Sequence, residues 1–267
     1  MNPVDKGRVR AAFSRGAAGY DARAGVQAAV RARVLSLAAE AAPEARRVLD
    51  VGCGTGRLLA DLTAPERARP GLRAAGLDLA RGMCAAARAA APAAAVAAGD
   101  AEALPFRDGA FDLVLSTSTF QWLPRLGPAL RECARVLAPG GRLVLALFAE
   151  RTLHELRTAW REAAAGRLPD RTHRFFTPGE VAAALAAAGL AGVEVHEAER
   201  VEHHPDARSL LRSLKAMGAQ NAAPEAGSAG LAGRRVTLET LRRYDAAHGG
   251  PRGVPATWHV VYALASR

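Results

Sequence analysis

The sequence predicts an α/β fold with a helical lid and a mostly parallel sheet of seven strands, one of them antiparallel. Three observations lead to this prediction: strand-like apolar runs alternate with helical patterns, the first run ends in closely spaced glycines, and two further strand patterns follow where the alternation stops. Strands that alternate with helices form parallel sheets with right-handed crossovers. The 267 residues are enough for one such domain with insertions.

The first five strands are expected before residue 150. A helical segment with valines at helical spacing over 26–37 precedes them. An amphipathic helix carrying Leu126, Leu130, Cys133 and Leu137 separates the fourth strand from the fifth, and the Ala-Pro-Gly-Gly run at 138–141 is expected to end it. The predicted strands lie at 48–51, in the segment that ends at Asp78, near 93–97, at 111–116 and at 142–148.

After residue 150 the pattern becomes less regular. Residues 151–168 look helical, and the Thr-Pro-Gly-Glu run at 177–180 predicts the capped start of another helix. Two strands, at 193–201 and 258–263, are expected to pair antiparallel. The predicted organisation is a single domain over 1–267, with N-terminal lid helices at 1–45, a ligand-binding core at 46–150, and the remaining sheet at 151–267 with a helical lid insertion at about 206–250.

The glycine-rich segment after the first strand is the most informative motif. Residues 48–56 read Val-Leu-Asp-Val-Gly-Cys-Gly-Thr-Gly and lead into a helical segment. Glycine has no Cβ and reaches positive φ at little cost, so such a loop lets bare backbone approach a ligand. N–H groups at the start of the next helix point toward that ligand. The G-x-G-x-G spacing differs from the G-x-G-x-x-G of dinucleotide sites, and the loop alone leaves the nucleotide class open.

Further candidate ligand-binding residues follow the next two strands, at the sheet edge where ligands bind in such folds. Asp78 ends the second strand, where a carboxylate can accept both hydroxyl groups of a ribose. Met83, one helical turn later, offers an apolar surface to an adenine ring, and Asp100 with Ala101 offers polar groups to its edge. A surface turn is the alternative for Asp78 and a helix cap for Asp100, but their order along the chain favours a nucleoside site.

These motifs resemble the series found in class I methyltransferases that depend on S-adenosylmethionine (SAM), which have a Rossmann-like fold. The matching segments are 49–56, 76–78, 99–106, 111–114 and 135–141. The resemblance implies SAM as the cofactor and S-adenosylhomocysteine as the product. It also implies a cofactor site made of Asp50, Gly52, Gly54, Gly56, Asp78, Met83, Asp100, Ala101 and Ser116.

Segments outside this core resemble the malonyl-acyl-carrier-protein O-methyltransferases of biotin synthesis, along nearly the whole chain. These segments are 13–15, 19–21, 119–122, 152–156, 174–176 and 215–221. The resemblance implies methyl transfer from SAM to the free carboxylate of a malonyl thioester on an acyl carrier protein. It places Tyr20 beside the sulfonium and Gln121, Trp122, Arg174 and Phe175 around the malonyl group. Lid packing is the alternative for Tyr20 and Trp122, and a solvated side chain is the alternative for Arg174.

The net charge of +10 is unevenly distributed. Residues 1–47 carry nine Lys and Arg against four Asp and Glu, and residues 206–252 carry eight against four. A basic rim of this kind steers an acidic partner such as an acyl carrier protein, although solvated helix faces explain it equally well. If the rim docks the carrier, reversing the charges of Arg212 and Lys215 is expected to weaken binding of the carrier substrate much more than binding of a small thioester.

Composition also limits the alternatives. Three well-separated cysteines fit no metal or disulfide spacing, so we expect no metal and a reducing, cytoplasmic compartment; no stretch has the length of a membrane span. Nucleic-acid binding is disfavoured because aromatic residues make up only 5% and no base-methylation motif is present. The nearest alternative is a SAM-dependent methyltransferase of a small free polycarboxylic acid, and an inactive scaffold is disfavoured by the intact glycines and Asp78.

Overall fold

The computed structural model describes residues 4–66, 69–165, 173–216 and 230–267. Seven strands form one sheet. They are β1 (Arg47–Val51), β2 (Arg73–Asp78), β3 (Ala95–Ala98), β4 (Phe111–Thr117), β5 (Leu137–Phe148), β6 (Ala191–His204) and β7 (Val254–Ser266). Their order in the sheet is β3-β2-β1-β4-β5-β7-β6, and β7 runs antiparallel to both of its neighbours. The prediction of a mostly parallel seven-stranded sheet with one antiparallel strand is confirmed.

Helices cover both faces of this sheet. They are α1 (Lys6–Gly16), α2 (Gly25–Ala41), α3 (Arg57–Thr63), α4 (Arg81–Ala90), α5 (Leu126–Val136), α6 (His154–Ala164), α7 (Pro178–Ala187), α8 (Ala207–Ala216) and α9 (Gly230–His248). Three short 3-10 turns lie at Ala17–Gly19, Asp21–Arg23 and Phe120–Trp122. The helical insertion expected at 206–250 corresponds to α8 and α9; the predicted lid segment at 217–221 lies outside the described residues. No described helix is both long and apolar enough to cross a membrane.

Two apolar clusters, one on each face of the sheet, form most of the core. On one face, α5 and α7 contribute Leu130 and Leu185, which pack with Leu145 of β5. On the other face, α2, α8 and α9 pack against β4 and β7 through side chains that include Val30, Leu115, Leu210, Tyr244 and Val260. Because both faces are covered, the central strands are apolar on both sides, as expected for a parallel sheet.

The boundary between α5 and β5 differs from the prediction. Helix α5 ends at Val136, and β5 begins at Leu137, so residues 138–141 belong to the strand and Leu137 does not belong to the helix. Pro139 lacks an N–H and disfavours helical geometry at the residue before it, which stops the helix early. Gly140 then adopts a φ of +74° and pairs with Arg267, so the segment continues as the irregular start of a strand.

The segment after β5 follows the prediction more closely. Strands β6 and β7 are longer than expected and pair antiparallel, with Ala198 opposite Val260. The predicted capping box at the start of α7 is confirmed, since the Thr177 hydroxyl accepts the Glu180 N–H at 3.1 Å and the Glu180 carboxylate accepts the Thr177 N–H at 2.9 Å.

Candidate active site

The three glycines after β1 all adopt left-handed backbone conformations, but they face different neighbours. Their φ angles are +77° at Gly52, +53° at Gly54 and +80° at Gly56. A Cβ on Gly52 would overlap the side chain of Thr119, and one on Gly56 would lie 2.7 Å from the Cα of Ala87 on α4. A Cβ on Gly54 would meet nothing within 4 Å. Gly54 is therefore the position where bare backbone faces open space, whereas the other two glycines allow close packing inside the protein.

A cavity opens at this loop, along the carboxyl ends of β1, β2 and β4. The sheet side of its wall contains Gly52, Gly54, Asp78, Met83, Asp100 and Ala101, all of which the sequence assigned to the cofactor. The opposite side contains residues from α1, the two turns that follow it and the start of α2, including Lys6, Phe13, Tyr20, Asp21, Ala24 and Gln27. We call α1 and these two turns the N-terminal lid.

Asp78 joins the glycine loop to the start of α4. One of its carboxylate oxygens accepts the Gly54 N–H at 2.9 Å, and the other accepts the Ala80 N–H at 2.7 Å. Burial raises the pKa of Asp78, and these two hydrogen bonds oppose that rise. A carboxylate offers about four acceptor positions, so two remain for the hydroxyl groups of a ribose.

Asp50, at the end of β1, is fully buried, and neither carboxylate oxygen has a hydrogen-bond partner among the described residues. Burial, followed by the charge of Asp78, raises the pKa of Asp50 to about 8. Asp50 does not itself line the cavity. Two neighbouring acids at the base of the loop nevertheless favour a ligand that carries positive charge, as SAM does on its sulfonium and amino groups.

Polar contacts at both ends hold the N-terminal lid over the cavity. Near one end of the lid, the Lys6 ammonium pairs with Asp100 at 2.7 Å and also contacts Glu102. At the other end, the Asp21 carboxylate accepts the Thr55 hydroxyl and the Arg57 guanidinium, each at 2.7 Å. No sequence pattern indicated Lys6 or Arg57. Asp21 was indicated only as part of the Gly-Tyr-Asp segment of the family resemblance.

An aromatic group forms the wall beneath this lid. Phe13 packs edge-on against Tyr20 and Trp122, with ring centroids 6.3 and 5.5 Å away. Tyr20 and Trp122 both line the cavity, as the sequence predicted. Burial, followed by the charges of Asp78 and Asp21, raises the pKa of Tyr20 to about 12. At neutral pH the Tyr20 hydroxyl is therefore protonated, and it can act as a hydrogen-bond donor but not as a base.

Three residues predicted to surround the substrate do not line the cavity. The Gln121 side chain is buried and donates to the Ser118 carbonyl at 2.6 Å. Arg174 pairs with Glu180 of the α7 capping box and lies over the Phe176 ring, with 51% of its side chain exposed. Phe175 packs between His173 and Arg157. Each of the three side chains has local partners in this structure, although the Gln121 Oε1 atom has none among the described residues, and their contact with the substrate stays a prediction.

Besides Asp50, two residues predicted for the cofactor lie behind the cavity rather than in its wall. The buried hydroxyl of Ser116 donates to the Val51 carbonyl at 2.7 Å, which ties the end of β4 to the end of β1. Gly56 faces Ala87, as described above. Both residues shape the loop, and their direct contact with the cofactor stays a prediction.

The three cysteines and His173 are held in neutral forms by burial. The three cysteines are free and buried, and burial raises the pKa of Cys53, Cys84 and Cys133. Burial lowers the pKa of His173, which contacts Trp122, to about 4. Among the described residues, no group of three His, Cys, Asp or Glu side chains could hold a metal ion. The arrangement suits a reaction in which the substrate itself supplies the nucleophile.

Comparisons with known proteins agree with this geometry. The family described as "Methyltransferase domain" matches residues 49–145. A relative from Geobacter sulfurreducens named "Malonyl-[acyl-carrier protein] O-methyltransferase" is 49% identical, over 99% of this chain and all of that protein. A "Biotin biosynthesis bifunctional protein BioHC" from Cellvibrio japonicus is 36% identical, over 98% of this chain and 50% of that protein. The crystal structure of a putative methyltransferase from Bacillus halodurans has a TM-score of 0.59 at 18% identity, and the match covers 88% of this chain and 97% of that one.

The sheet order, the glycine loop and the cavity that contains Asp78 together define a class I methyltransferase that uses SAM as its methyl donor. The chain belongs, over nearly its full length, to the malonyl-[acyl-carrier protein] O-methyltransferase family. The residues present fit SAM, since an open glycine backbone at Gly54, the Asp78 carboxylate and the unpartnered Asp50 carboxylate suit its nucleoside and positive charges.

Replacing Asp78 tests the proposed ribose contact. We expect Asp78→Ala to weaken SAM binding at least 100-fold, because it removes two charge-assisted hydrogen bonds worth roughly 1.5–3 kcal/mol each and also releases the Gly54 N–H. Asp78→Asn keeps one acceptor oxygen and should lose less affinity for SAM. Titration calorimetry with SAM measures both variants, and Asp108→Ala, at a residue with 71% of its side chain exposed, is the control. A dissociation constant for Asp78→Ala within threefold of the wild type would exclude the contact.

Proposed function

We propose that this enzyme transfers the methyl group of SAM to the free carboxylate of a malonyl group carried on acyl carrier protein. The product is the malonyl methyl ester that primes pimeloyl synthesis for biotin. The main support is the relative from Geobacter sulfurreducens, whose name states this reaction and whose alignment includes the N-terminal lid and the late insertion as well as the core. These two segments differ most among methyltransferases with different substrates, so their agreement supports the acceptor as well as the donor.

The chemistry needs little from the protein beyond positioning. A malonyl carboxylate has a pKa near ~4 and is already ionised at pH 7, so no general base is required. When bound, SAM supplies an electrophilic methyl group on a positively charged sulfur, which leaves as a neutral thioether. Phe13, Tyr20 and Trp122 form an apolar wall that excludes water, and a less hydrated carboxylate is a better nucleophile. The Tyr20 hydroxyl can orient the reacting groups by donating a hydrogen bond.

The cations in the cavity wall are compatible with a reactive carboxylate. Each already has an acidic partner: Lys6 pairs with Asp100, Arg31 with Asp61 and Arg57 with Asp21. A free arginine would bind the malonyl carboxylate in a tight bidentate pair and reduce its nucleophilicity. Cations that are already compensated bind the malonyl carboxylate less tightly and leave it nucleophilic.

The proposed product also explains why such an enzyme is useful. A free carboxylate at the end of an acyl chain is costly to bury in the apolar sites of chain-elongation enzymes. Methylation removes the charge, so the capped malonyl group can enter these sites. The expected partner is therefore an acyl carrier protein of fatty-acid synthesis or a dedicated one.

A labelled-SAM assay tests this function against the nearest alternative. Malonyl-acyl carrier protein is expected to accept methyl groups at least 100-fold more efficiently than free di- and tricarboxylic acids, because only the carrier offers a docking surface. A preference for a free polycarboxylic acid would establish the alternative, a small-molecule carboxyl methyltransferase. In cells, the gene is expected to restore growth without biotin to a strain that lacks this methylation step.

The absence of a required base predicts a simple pH profile. With both substrates saturating, we expect kcat to be constant from about pH 6 to pH 9, because the malonyl carboxylate is ionised throughout this range. Tyr20→Phe is expected to lower kcat about tenfold, since it removes one hydrogen bond, and to leave the shape of the profile unchanged. Initial rates across this range measure both effects. An ascending limb near pH 7 that disappears in a variant would instead identify a general base.

A further inference from the structure

We propose that one face of α8 is the docking surface for the acyl carrier protein, an inference that rests on the proposed function. This surface, the α8 basic face, consists of Arg208, Arg212 and Lys215. Their spacing of four and three residues places them on the same side of the helix. All three are exposed, and no ion pair joins any of them to an acidic side chain within the described ranges. The face therefore presents three positive charges in a row, and the Asp206 carboxylate before the helix offsets part of the charge of Arg208 and Arg212.

The opposite face of α8 anchors the helix to the protein. Ala207, Leu210 and Leu214 are buried in the same apolar cluster as α2 and β7. The Ala207 N–H donates to the Asp245 carboxylate of α9 at 2.8 Å, and the Ser209 N–H donates to Asp206 at 2.6 Å. The basic face thus stands on a fixed helix, which keeps its charges in a defined arrangement for a partner.

Helix α8 begins at the edge of the sheet where the cavity opens. Helix α8 begins just after His204, the carboxyl end of β6, which is parallel to β1, β2 and β4. The end of β6 approaches the start of α2 closely, since a Cβ on Gly25 would lie 3.2 Å from the Glu202 carboxylate. Ala24 and Gln27, on either side of Gly25, line the cavity. A carrier docked on α8 would therefore hold its flexible acylated arm near the cavity.

The charge of the partner follows from the charge of the surface. On the neighbouring helix α9, Arg242 and Arg243 share the Glu239 carboxylate, and Arg243 also pairs with Glu162 of α6, so both cations have acidic partners. On α8, Asp206 is the nearest acid in sequence, and it lies before the helix, bonded to Ser209. Acyl carrier proteins are acidic, and complementary charge raises the rate and specificity of association. An acidic carrier protein is thus the occupant that this surface fits.

Charge reversal at α8, compared with reversal elsewhere, tests the proposal. The variant Arg212→Glu/Lys215→Glu removes four units of charge at the α8 basic face. The control, Arg46→Glu/Arg73→Glu, makes the same change at exposed residues near the amino ends of β1 and β2, the opposite edge of the sheet. Malonyl-acyl carrier protein and malonyl-pantetheine are compared as substrates. Binding of SAM and thermal unfolding of each variant confirm that the fold is intact.

We expect the α8 variant to raise KM for malonyl-acyl carrier protein about tenfold or more, and KM for malonyl-pantetheine less than twofold. The control variant should change neither KM more than twofold. The proposal would be overturned if the α8 variant raised KM for both substrates equally. It would also be overturned if both variants raised KM for malonyl-acyl carrier protein equally. Loss of RNA binding by the α8 variant with no change toward the carrier would assign the surface to nucleic acid instead. A wild-type enzyme that leaves malonyl-acyl carrier protein unmethylated would refute the proposed function itself.

Discussion

Gly56→Ala is expected to destabilise the protein by about 3 kcal/mol, although it adds only one methyl group. Gly56 has a φ of +80°, and its added Cβ would lie 2.7 Å from the Cα of Ala87 and 2.9 Å from its Cβ. The left-handed conformation alone costs a non-glycine residue roughly 1–2 kcal/mol. Overpacking against the backbone of α4 adds typically 1–3 kcal/mol, because a helix backbone cannot rotate away as a side chain can.

Two matched variants separate backbone strain from steric overlap and from ligand contact. Gly71 also has a φ of +77°, but a Cβ there meets no atom within 4 Å, so Gly71→Ala should cost only the strain of about 1–2 kcal/mol. Gly54→Ala should have a similar cost and should also weaken SAM binding at least tenfold, because Gly54 faces the cavity. Denaturant unfolding and SAM titration measure these differences. A Gly56→Ala variant as stable as Gly71→Ala would show that α4 moves aside readily.

The sheet was predictable from the sequence because its signals are local. Strands such as β1 and β4 are short apolar runs bounded by loops, and the capping box of Thr177 and Glu180 fixes the start of α7 within four residues. The start of β5 was not predictable. Whether residues 138–141 form a turn or a strand depends on the pairing of Gly140 and Gly141 with Arg267, more than 120 residues away in sequence.

The same distinction separates the two halves of the candidate site. The carboxyl ends of β1 and β2 bring the glycine loop and Asp78 together in any fold of this type, so sequence order was sufficient to place them. The lid contacts Lys6–Asp100 and Asp21–Arg57 join segments 94 and 36 residues apart, and no periodic pattern signals them. The arginine expected at the substrate, Arg174, is instead paired with Glu180, because its position is set by the start of α7.

The three glycines of the loop share one sequence pattern but have different structural roles. The sequence predicts a loop in which bare backbone approaches a ligand, yet only Gly54 of the three glycines faces open space. Gly52 makes room for Thr119, and Gly56 makes room for α4. Gly52 and Gly56 therefore allow the loop to pack tightly, and Gly54 is the one of the three whose backbone has free space beside it. The motif predicts the cofactor correctly, although two of its three glycines serve packing inside the protein.

Asp50 is expected to make the stability of the ligand-free protein fall as pH rises. The pKa of its buried carboxyl is raised to about 8 in the folded chain, against about 3.9 when unfolded. Between these values the folded protein holds a proton that the unfolded chain releases, so the free energy of unfolding decreases with pH by up to about 1.4 kcal/mol per unit. The loss begins above pH 4 and is complete above pH 8. Asp50→Asn removes the ionisation and should remove this slope.

Thermal unfolding of both proteins between pH 5.5 and pH 8.5 measures the effect as a difference between two profiles. The wild type should lose stability relative to Asp50→Asn across this range, whereas Asp112→Asn, at a surface acid paired with Arg47, should run parallel to the wild type. SAM is expected to reverse the trend, because its positive charges favour ionised Asp50 and its binding then releases a proton. SAM affinity should therefore rise between pH 6 and pH 8 in the wild type and stay constant in Asp50→Asn. Parallel unfolding profiles for the wild type and Asp50→Asn would mean that Asp50 is ionised and solvated in the folded protein.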